Sequence, residues 1–262
     1  MLQITSTQLD AFITAWLFPM MRVLGLIGSA PIFNNRAIPR NIRIGMGVII
    51  GVAVAASLPP PPAIPAGSWQ ALLIMGQQVL IGLSMGLAIR VVMAAVDTAG
   101  EMIGLQMGLS FAVFFDPNNS GQTAVLSEIL TLIASLFFLA LNGHLMLIEV
   151  VVRSFEFIPI GASPMHADAW LVLVRMVSVA FASGVMIALP VVAALLITNI
   201  ALAVLTRSAP QLNIFAVGFP ITSTVGFIVL ILLLQNLAPV LESLVEQGFE
   251  HVGIFLHQLG RP

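Results

Sequence analysis

Long apolar blocks with few charges constrain this chain more than any other feature. The blocks lie at residues 11–33, 44–58, 69–96, 123–152, 170–206 and 214–237. A helix needs about 20 apolar residues to cross a bilayer. Only 8% of the residues are charged and 59% are hydrophobic, whereas a soluble domain carries about 25% charged residues. The sequence therefore predicts an all-α membrane protein with about six long hydrophobic helices, some of them kinked or hairpin-like.

Prolines in the last third of the chain predict interruptions of these helices. Pro190 lies within block 170–206, which is longer than one span, and should kink or split it. Pro220 should interrupt block 214–237, and Pro239 begins a final segment. Apolar residues recur at helical spacing in that segment, which predicts a C-terminal amphipathic helix. Its opposite face, which we expect to meet a partner helix or an aqueous lumen, holds Glu242, Glu246 and Glu250.

Glycines spaced four residues apart predict close helix packing in two places. Gly82 and Gly86 share one helical face in the third block. Three further glycines, Gly100, Gly104 and Gly108, repeat the spacing just after that block. Small residues at this spacing let a neighbouring backbone approach closely, so we expect both sets to contact other helices.

Polar residues inside the apolar blocks need partners that lipid does not supply. Arg22 lies in the middle of the first block. It either snorkels or pairs inside a helix bundle, or it borders a polar path or a subunit contact. The fourth block carries polar residues seven apart, which on one helix form a stripe that drifts by only about 20° per heptad. Such a stripe either bonds to neighbouring helices or lines an aqueous lumen; its members are Glu128, Ser135, Asn142 and Glu149.

Residues 109–122 change character twice between two apolar blocks. After Leu109 come three large aromatic residues, Phe111, Phe114 and Phe115. The following residues, Asp116, Pro117, Asn118 and Asn119, with Ser120 and Gly121, are typical of a turn. The segment is either a helix end whose phenylalanines pack into a bundle core or a loop that fills an opening.

Several chemistries are excluded or disfavoured by the residues present. The chain has no cysteine, so disulfides and thiolate metal sites are excluded. The four histidines lack ligand spacing, and no hydrolase, zinc-protease or phosphate-binding motif occurs, so we expect no enzyme, cofactor or metal. A net charge of −2 provides no basic surface for nucleic acid. The first residues lack the positive start of a cleaved signal peptide, so we expect the first block to stay in the mature protein.

Four phrases now carry a resemblance to a known family. They are RVLGLIGSAPIFNNRAIPRNIR at 22–43, AGEMIGLQMGLSFAVFFDP at 99–117, NGH at 142–144 and LLITNIALAVLTRSAPQLNIFAVGFPI at 195–221. The chain resembles the FliR family, the export-gate subunits of flagellar type III secretion, over essentially its whole length. It is also similar to the homologous subunits of virulence injectisomes. The last phrase contains Arg207, Gln211 and Asn213, which the resemblance marks as candidate subunit contacts.

The resemblance implies a pore subunit in a larger assembly. The family's members join FliP and FliQ homologues in a helical complex of the bacterial inner membrane, much of it on the periplasmic side. Residues 1–206 would be the FliP-like part and residues 207–262 the FliQ-like part of one export-gate domain. Further implied partners are FlhB and FlhA homologues, the flagellar basal body, membrane lipid and the unfolded export substrates that pass through the pore.

The resemblance also bears on the two open interpretations of residues 109–122. In the family, the corresponding loop plugs the closed channel, which favours the loop that fills an opening. Three alternatives stay open at this point, one from the same class and two from other classes. They are an injectisome homologue that secretes effectors, a secondary transporter with its own substrate site, and an intramembrane enzyme whose catalytic dyad the sequence does not reveal.

Overall fold

A computed structural model describes residues 5–35, 37–59, 64–109, 125–161, 166–211 and 214–260. Within these ranges the chain forms eight helices and no strand, so the predicted all-α class is confirmed. The helices are α1 (Ser6–Ser29), α2 (Arg40–Ser57), α3 (Trp69–Gln106), α4 (Val125–Ala140), α5 (Gly143–Phe157), α6 (Ala167–Ser208), α7 (Ile214–Leu234) and α8 (Leu237–Leu259).

Five of these helices, α1, α2, α3, α6 and α7, are long and apolar enough to cross a membrane. The shorter α4 and α5 reach that length only as a pair, bent at residues 141–142, which makes up to six spans. The sequence-based expectation of about six hydrophobic helices is therefore confirmed in the part of the chain that the structure describes.

The fourth block does not form the single helix on which the predicted polar stripe depends. Instead of one helix over 123–152, the chain forms α4 and α5 with a break between them. Asn142 at the break adopts a left-handed conformation with φ 57°. Asparagine is among the few non-glycine residues that tolerate this region, and Gly143 follows it. The four polar residues of the stripe consequently do not share one continuous helical face.

A split at Pro190 and an interruption at Pro220, which the sequence suggested, do not occur. Pro190 lies inside the continuous helix α6, and Pro220 lies inside the continuous helix α7, so neither splits its block. Pro239 is in the first turn of α8, where the backbone N–H groups have no helical partner in any case. Apolar helices tolerate an interior proline when neighbouring side chains satisfy the freed backbone groups.

The chain divides into two compact units. Unit 1 comprises Met1–Val91, Asn142–Met176 and Glu246–Pro262, and unit 2 comprises Val92–Leu141 and Val177–Val245. In unit 1, α2 packs along α1, and Phe18, Ile64, Ala71 and Ile74 form a core cluster. The core of unit 2 includes Ile103, Met107, Leu130, Phe138 and Val191, all fully or nearly fully buried.

Helix α8 has the predicted amphipathic character. Its apolar residues Leu241, Leu244, Val252, Leu256 and Leu259 are buried. The three carboxylate residues on its other face are exposed. Spacing of 3.6 residues was therefore a sufficient signal for this helix, because one face alone is covered by the protein.

Candidate functional site

The end of α3 in unit 2 marks where the chain enters the segment at 110–124. Gly108 has φ 78°, and its N–H donates to the carbonyl of Leu105 at 3.1 Å. The N–H of Leu109 donates to the carbonyl of Gly104, also at 3.1 Å. This pair of bonds is a Schellman motif, which favours glycine at the left-handed position. Gly108 therefore ends the helix. The spacing had predicted that it shares a helical face with Gly100 and Gly104, and this prediction is wrong for Gly108.

The two helices that flank residues 110–124 are in direct contact within unit 2. A Cβ on Gly100 of α3 would lie 2.4 Å from the Cα of Ser127 in α4, which shows how closely the backbones approach. The Ser127 hydroxyl donates to the backbone carbonyl of Asp97 at 3.1 Å. The Thr131 hydroxyl donates to the Asp97 carboxylate. A half-buried aspartate thus joins α3 to α4 one turn from the glycine contact.

The last turn of α3 is also held by α7. Met107 is fully buried, and a Cβ on Gly226 of α7 would lie 2.6 Å from its Cγ. Helix α6 meets α3 in the same unit, where a Cβ on Gly184 would lie 2.6 Å from the carbonyl oxygen of Ala95. The ends of α3 and α4 are thereby fixed by small residues and hydrogen bonds before the intervening segment begins.

Most of the predicted plug residues lie outside the described residues. These are Phe111, Phe114, Phe115, Asp116, Pro117, Asn118 and Asn119. Leu109 is described and half-buried. The candidate functional site that the structure can define is therefore the frame of this segment, formed by Asp97, Gly100, Met107, Gly108 and Ser127.

Arg22 forms a second polar centre, in unit 1. The guanidinium is fully buried. Its Nε donates to Gln78 of α3 at 2.8 Å, its Nη1 donates to the Ser154 hydroxyl at 2.8 Å, and its Nη2 donates to the Ile158 carbonyl at 2.9 Å. The guanidinium carbon lies 3.8 Å from the centre of the Phe155 ring. These partners are neutral. The ring face and the partial negative charge at the C-terminal end of α5 both stabilise the positive charge of the guanidinium.

The same region contains the glycine contact between α1 and α3. A Cβ on Gly82 would lie 2.0 Å from the carbonyl oxygen of Arg22, and one on Gly86 would lie 2.0 Å from the hydroxyl of Ser29. Gly25 of α1 faces α3 in the same way, with the Val79 oxygen at 2.6 Å from its ideal Cβ. Both predicted glycines therefore lie where two backbones meet, and Gly25 completes the contact.

The other predicted polar residues do not come together. Glu128 of α4 is exposed and Ser135 is half-buried, while Asn142 lies at the helix break and Glu149 forms an exposed ion pair with Arg153 at 2.7 Å. Arg207 and Gln211 are exposed near the end of α6. Asn213 lies outside the described residues. These exposed groups face away from the chain's own core, toward solvent or another molecule.

Sequence reasoning missed Gln78 and Ser154 as partners of Arg22, and Ser127 and Thr131 as partners of Asp97. Their partners are 30 to 132 residues away in the chain, so no local spacing indicated them. The break between α4 and α5 did have a local signal, since Asn142-Gly143 is a dipeptide typical of turns. Among the described residues, no group of three histidine, aspartate or glutamate side chains could hold a metal ion.

Comparison with known proteins identifies the family that this sequence matches. The sequence matches the family described as bacterial export proteins, family 1, over residues 13–248. The flagellar biosynthetic protein FliR of Escherichia coli (strain K12) is 42% identical over 259 residues, which cover 99% of both chains. FliR of Pectobacterium carotovorum subsp. carotovorum is 44% identical over 262 residues, again 99% of both. FliR of Bacillus subtilis (strain 168) is 29% identical over 249 residues, 94% of this chain and 96% of the relative.

Proposed function

This chain belongs to the FliR family of flagellar export proteins, and we propose that it is a structural pore subunit of the flagellar protein export gate. In this role it joins FliP and FliQ homologues and contacts FlhB and FlhA homologues in the inner membrane. Unfolded flagellar subunits pass through the channel that they form together. The relatives bear flagellar names, which favours this branch over an injectisome homologue.

The length of α6 is the observation that carries the proposal of partner subunits. Its 42 residues extend about 63 Å, whereas the hydrocarbon layer of a bilayer is about 30 Å thick. Even at a tilt of 40°, near the upper limit for membrane helices, α6 would span about 48 Å of depth. Some of the helix therefore extends beyond the hydrocarbon layer at any tilt in the range that membrane helices adopt.

The exposed apolar surface of α6 is longer than the part of the helix that a bilayer can cover. Large exposed side chains occur along its whole length, including Leu171, Phe181, Met186, Ile197 and Val204. Lipid can cover the part within the membrane, but the remainder needs a protein surface, because an apolar face of this extent is unfavourable in water. Partner helices above the bilayer, on the periplasmic side, satisfy this requirement.

The division into FliP-like and FliQ-like parts belongs to the same proposal. The boundary near residue 206 falls at the end of α6, so that α7 and α8 constitute the FliQ-like part. The connection between these two helices has only two residues, 235 and 236, as expected for a helical hairpin.

We assign the channel plug to residues 109–122 of this chain. Support comes from the frame, in which α3 and α4 contact each other at Gly100 and Ser127 and the end of α3 is fixed by Gly108. The three phenylalanines supply a large apolar area, and apolar constrictions can close a pore by excluding water. A channel wide enough for an unfolded chain needs such a closure, because it would otherwise pass ions and small solutes.

Deletion of residues 114–119 tests the plug. The frame of α3 and α4 does not include these residues, so the complex with FliP and FliQ homologues should assemble at the wild-type level. The membrane of cells that carry it should become permeable to small solutes, as measured by uptake or conductance at equal complex levels.

Two triple substitutions provide the matched comparison. Replacement of Phe111, Phe114 and Phe115 with serine should give a weaker leak, whereas replacement of all three with leucine keeps apolar bulk and should stay tight. A deletion variant that assembles normally and is as tight as the wild type would show that this segment is not the plug. Failure to copurify FliP and FliQ homologues would instead contradict the pore-subunit role.

A further inference from the structure

The N-terminal end of α2 is a positively charged site within unit 1 for which the surrounding sequence offers no carboxylate. No aspartate or glutamate occurs between residues 11 and 96, a range that contains five of the nine arginines. Two of these, Arg40 and Arg43, lie in the first turn of α2, whose N-cap residue Pro39 makes no side-chain cap. Positive side chains at a helix N-terminus are electrostatically unfavourable unless an anion is near.

The two arginines have different surroundings. Arg43 is fixed, since its guanidinium donates to the Asn34 side chain, to the Asn35 carbonyl at 2.9 Å and to the Ile38 carbonyl at 3.3 Å. Its Nε is buried and has no partner among the described residues. Arg40 is exposed, and no described residue accepts a hydrogen bond from it. One cation is therefore held in place by neutral oxygens, and its neighbour is available to an external anion.

The side of α2 continuous with this charged end is apolar and uncovered. Gly47 and Gly51 pack against Leu24 and Met20 of α1. The remaining surface exposes large apolar residues along the length of the helix, namely Ile42, Ile44, Val48, Ile49 and Val52. Only 17% of its most apolar window is buried by the rest of the chain. The helix has the length and hydropathy of a membrane span.

We propose that the N-terminal end of α2 binds the headgroup of an anionic phospholipid, through Arg40, with the acyl chains along Ile44, Val48 and Val52, which follow Arg40 at intervals of four residues on one side of the helix. Side chains of a helix tilt toward its N-terminus, so Arg40 reaches beyond the apolar surface to the level of a headgroup phosphate. The field of Arg43 and of the uncapped helix N-terminus adds to this attraction.

The combination of charge and apolar surface favours a lipid over a soluble anion. A free phosphate would use Arg40 alone and would leave the adjoining apolar face uncovered. A phospholipid has a phosphate and two acyl chains joined in one molecule, which matches the two adjoining surfaces of α2. The positive charge distinguishes anionic from zwitterionic lipid, because each arginine near a surface of anionic lipid contributes about fivefold in affinity.

Lipid retention by the purified full-length chain, with the proteins that accompany it from the membrane, tests the proposal. Equal amounts of phosphatidylglycerol and phosphatidylcholine are added in mild detergent, and the bound lipids are counted by native mass spectrometry. Wild-type protein should retain phosphatidylglycerol in preference. Arg40→Gln should lower that retention about fivefold, and Val48→Asn should lower the retention of both lipids.

Arg153→Gln is the control, because it removes one exposed arginine of the same unit at a distance from α2 in sequence. It should retain phosphatidylglycerol as the wild type does. Equal retention of both lipids by the wild type, or equal losses in Arg40→Gln and Arg153→Gln, would overturn the proposal. Displacement of the lipid by an excess of inorganic phosphate, with no effect of Val48→Asn, would overturn it too, because the site would then bind a free anion.

Discussion

Arg22 in unit 1 and Asp97 in unit 2 each hold helices together beside a glycine contact, but they differ in burial and in partners. Arg22 is fully buried and donates to residues of α3, to α5 and to Ile158 just beyond it. Asp97 is half-buried and accepts hydrogen bonds from Ser127 and Thr131, both on α4. The nearest atom to an added Cβ is at 2.0 Å for Gly82 beside Arg22 and at 2.4 Å for Gly100 beside Asp97.

The difference indicates which contacts can change at low cost. Separation of the helices around Arg22 would leave a buried cation and several acceptors without partners, and each such group costs about 1–3 kcal/mol. Separation at Asp97 would affect one carboxylate that already reaches solvent, and two hydroxyls. The α3–α4 contact, which flanks the proposed plug, is therefore the more easily altered of the two.

The largest expected effect is that of Gly82→Ala. The new methyl group would overlap the Arg22 carbonyl oxygen and the Leu26 nitrogen, which belong to the backbone and cannot turn aside. We expect a loss of about 3 kcal/mol in stability, measured as a sharp decrease in monodisperse protein on size-exclusion chromatography. Gly76→Ala in the same helix is the control, since nothing lies within 4 Å of its ideal Cβ. Equal yields from both variants would contradict the tight α1–α3 contact.

Gly100→Ala should have the next largest effect. Its methyl group would meet the Cα and N of Ser127, but a smaller displacement of α4 relieves the overlap. We expect a loss of about 2 kcal/mol, seen as a lower thermal unfolding midpoint of the purified complex with less decrease in yield than for Gly82→Ala. If Gly100→Ala were the more damaging variant, the comparison between the two contacts would be reversed.

Ser154→Ala tests the Arg22 centre without a steric clash. It removes one acceptor from a buried guanidinium, and hydrogen bonds to charged groups contribute about 2 kcal/mol. The control is Ser84→Ala, in which a serine that is also buried loses only a bond to the carbonyl of Leu80 in its own helix. The unfolding midpoint should therefore fall clearly further for Ser154→Ala. Similar midpoints would show that Arg22 does not depend on this hydroxyl.

Thr131→Val should have the smallest effect of the four. The change keeps the shape of the side chain and removes one hydroxyl donor to a half-buried carboxylate, which solvent can partly replace, so we expect about 1 kcal/mol. Thr198→Val, whose hydroxyl bonds only within α6 to Ala194, serves as its control. A decrease in the unfolding midpoint as large as that of Ser154→Ala would remove the distinction between the two polar centres.

Local patterns predicted most of the helices but not the polar centres. Apolar runs indicated α1, α3, α6 and α7, and helical periodicity indicated α8. The helix break at residues 141–142 was missed because apolar residues continue on both sides of it. The partners of Arg22 lie 56, 132 and 136 residues away, so they depend on tertiary packing that one sequence does not display.

The left-handed Gly108 makes the end of α3 independent of the number of residues that follow it. The carbonyls of Gly104 and Leu105 are satisfied by Leu109 and Gly108, so α3 ends without the help of any later residue. Insertions or deletions after residue 109 therefore leave the register of α3 unchanged. A change of length in this segment should therefore alter closure of the proposed channel without altering the fold of the helices around it.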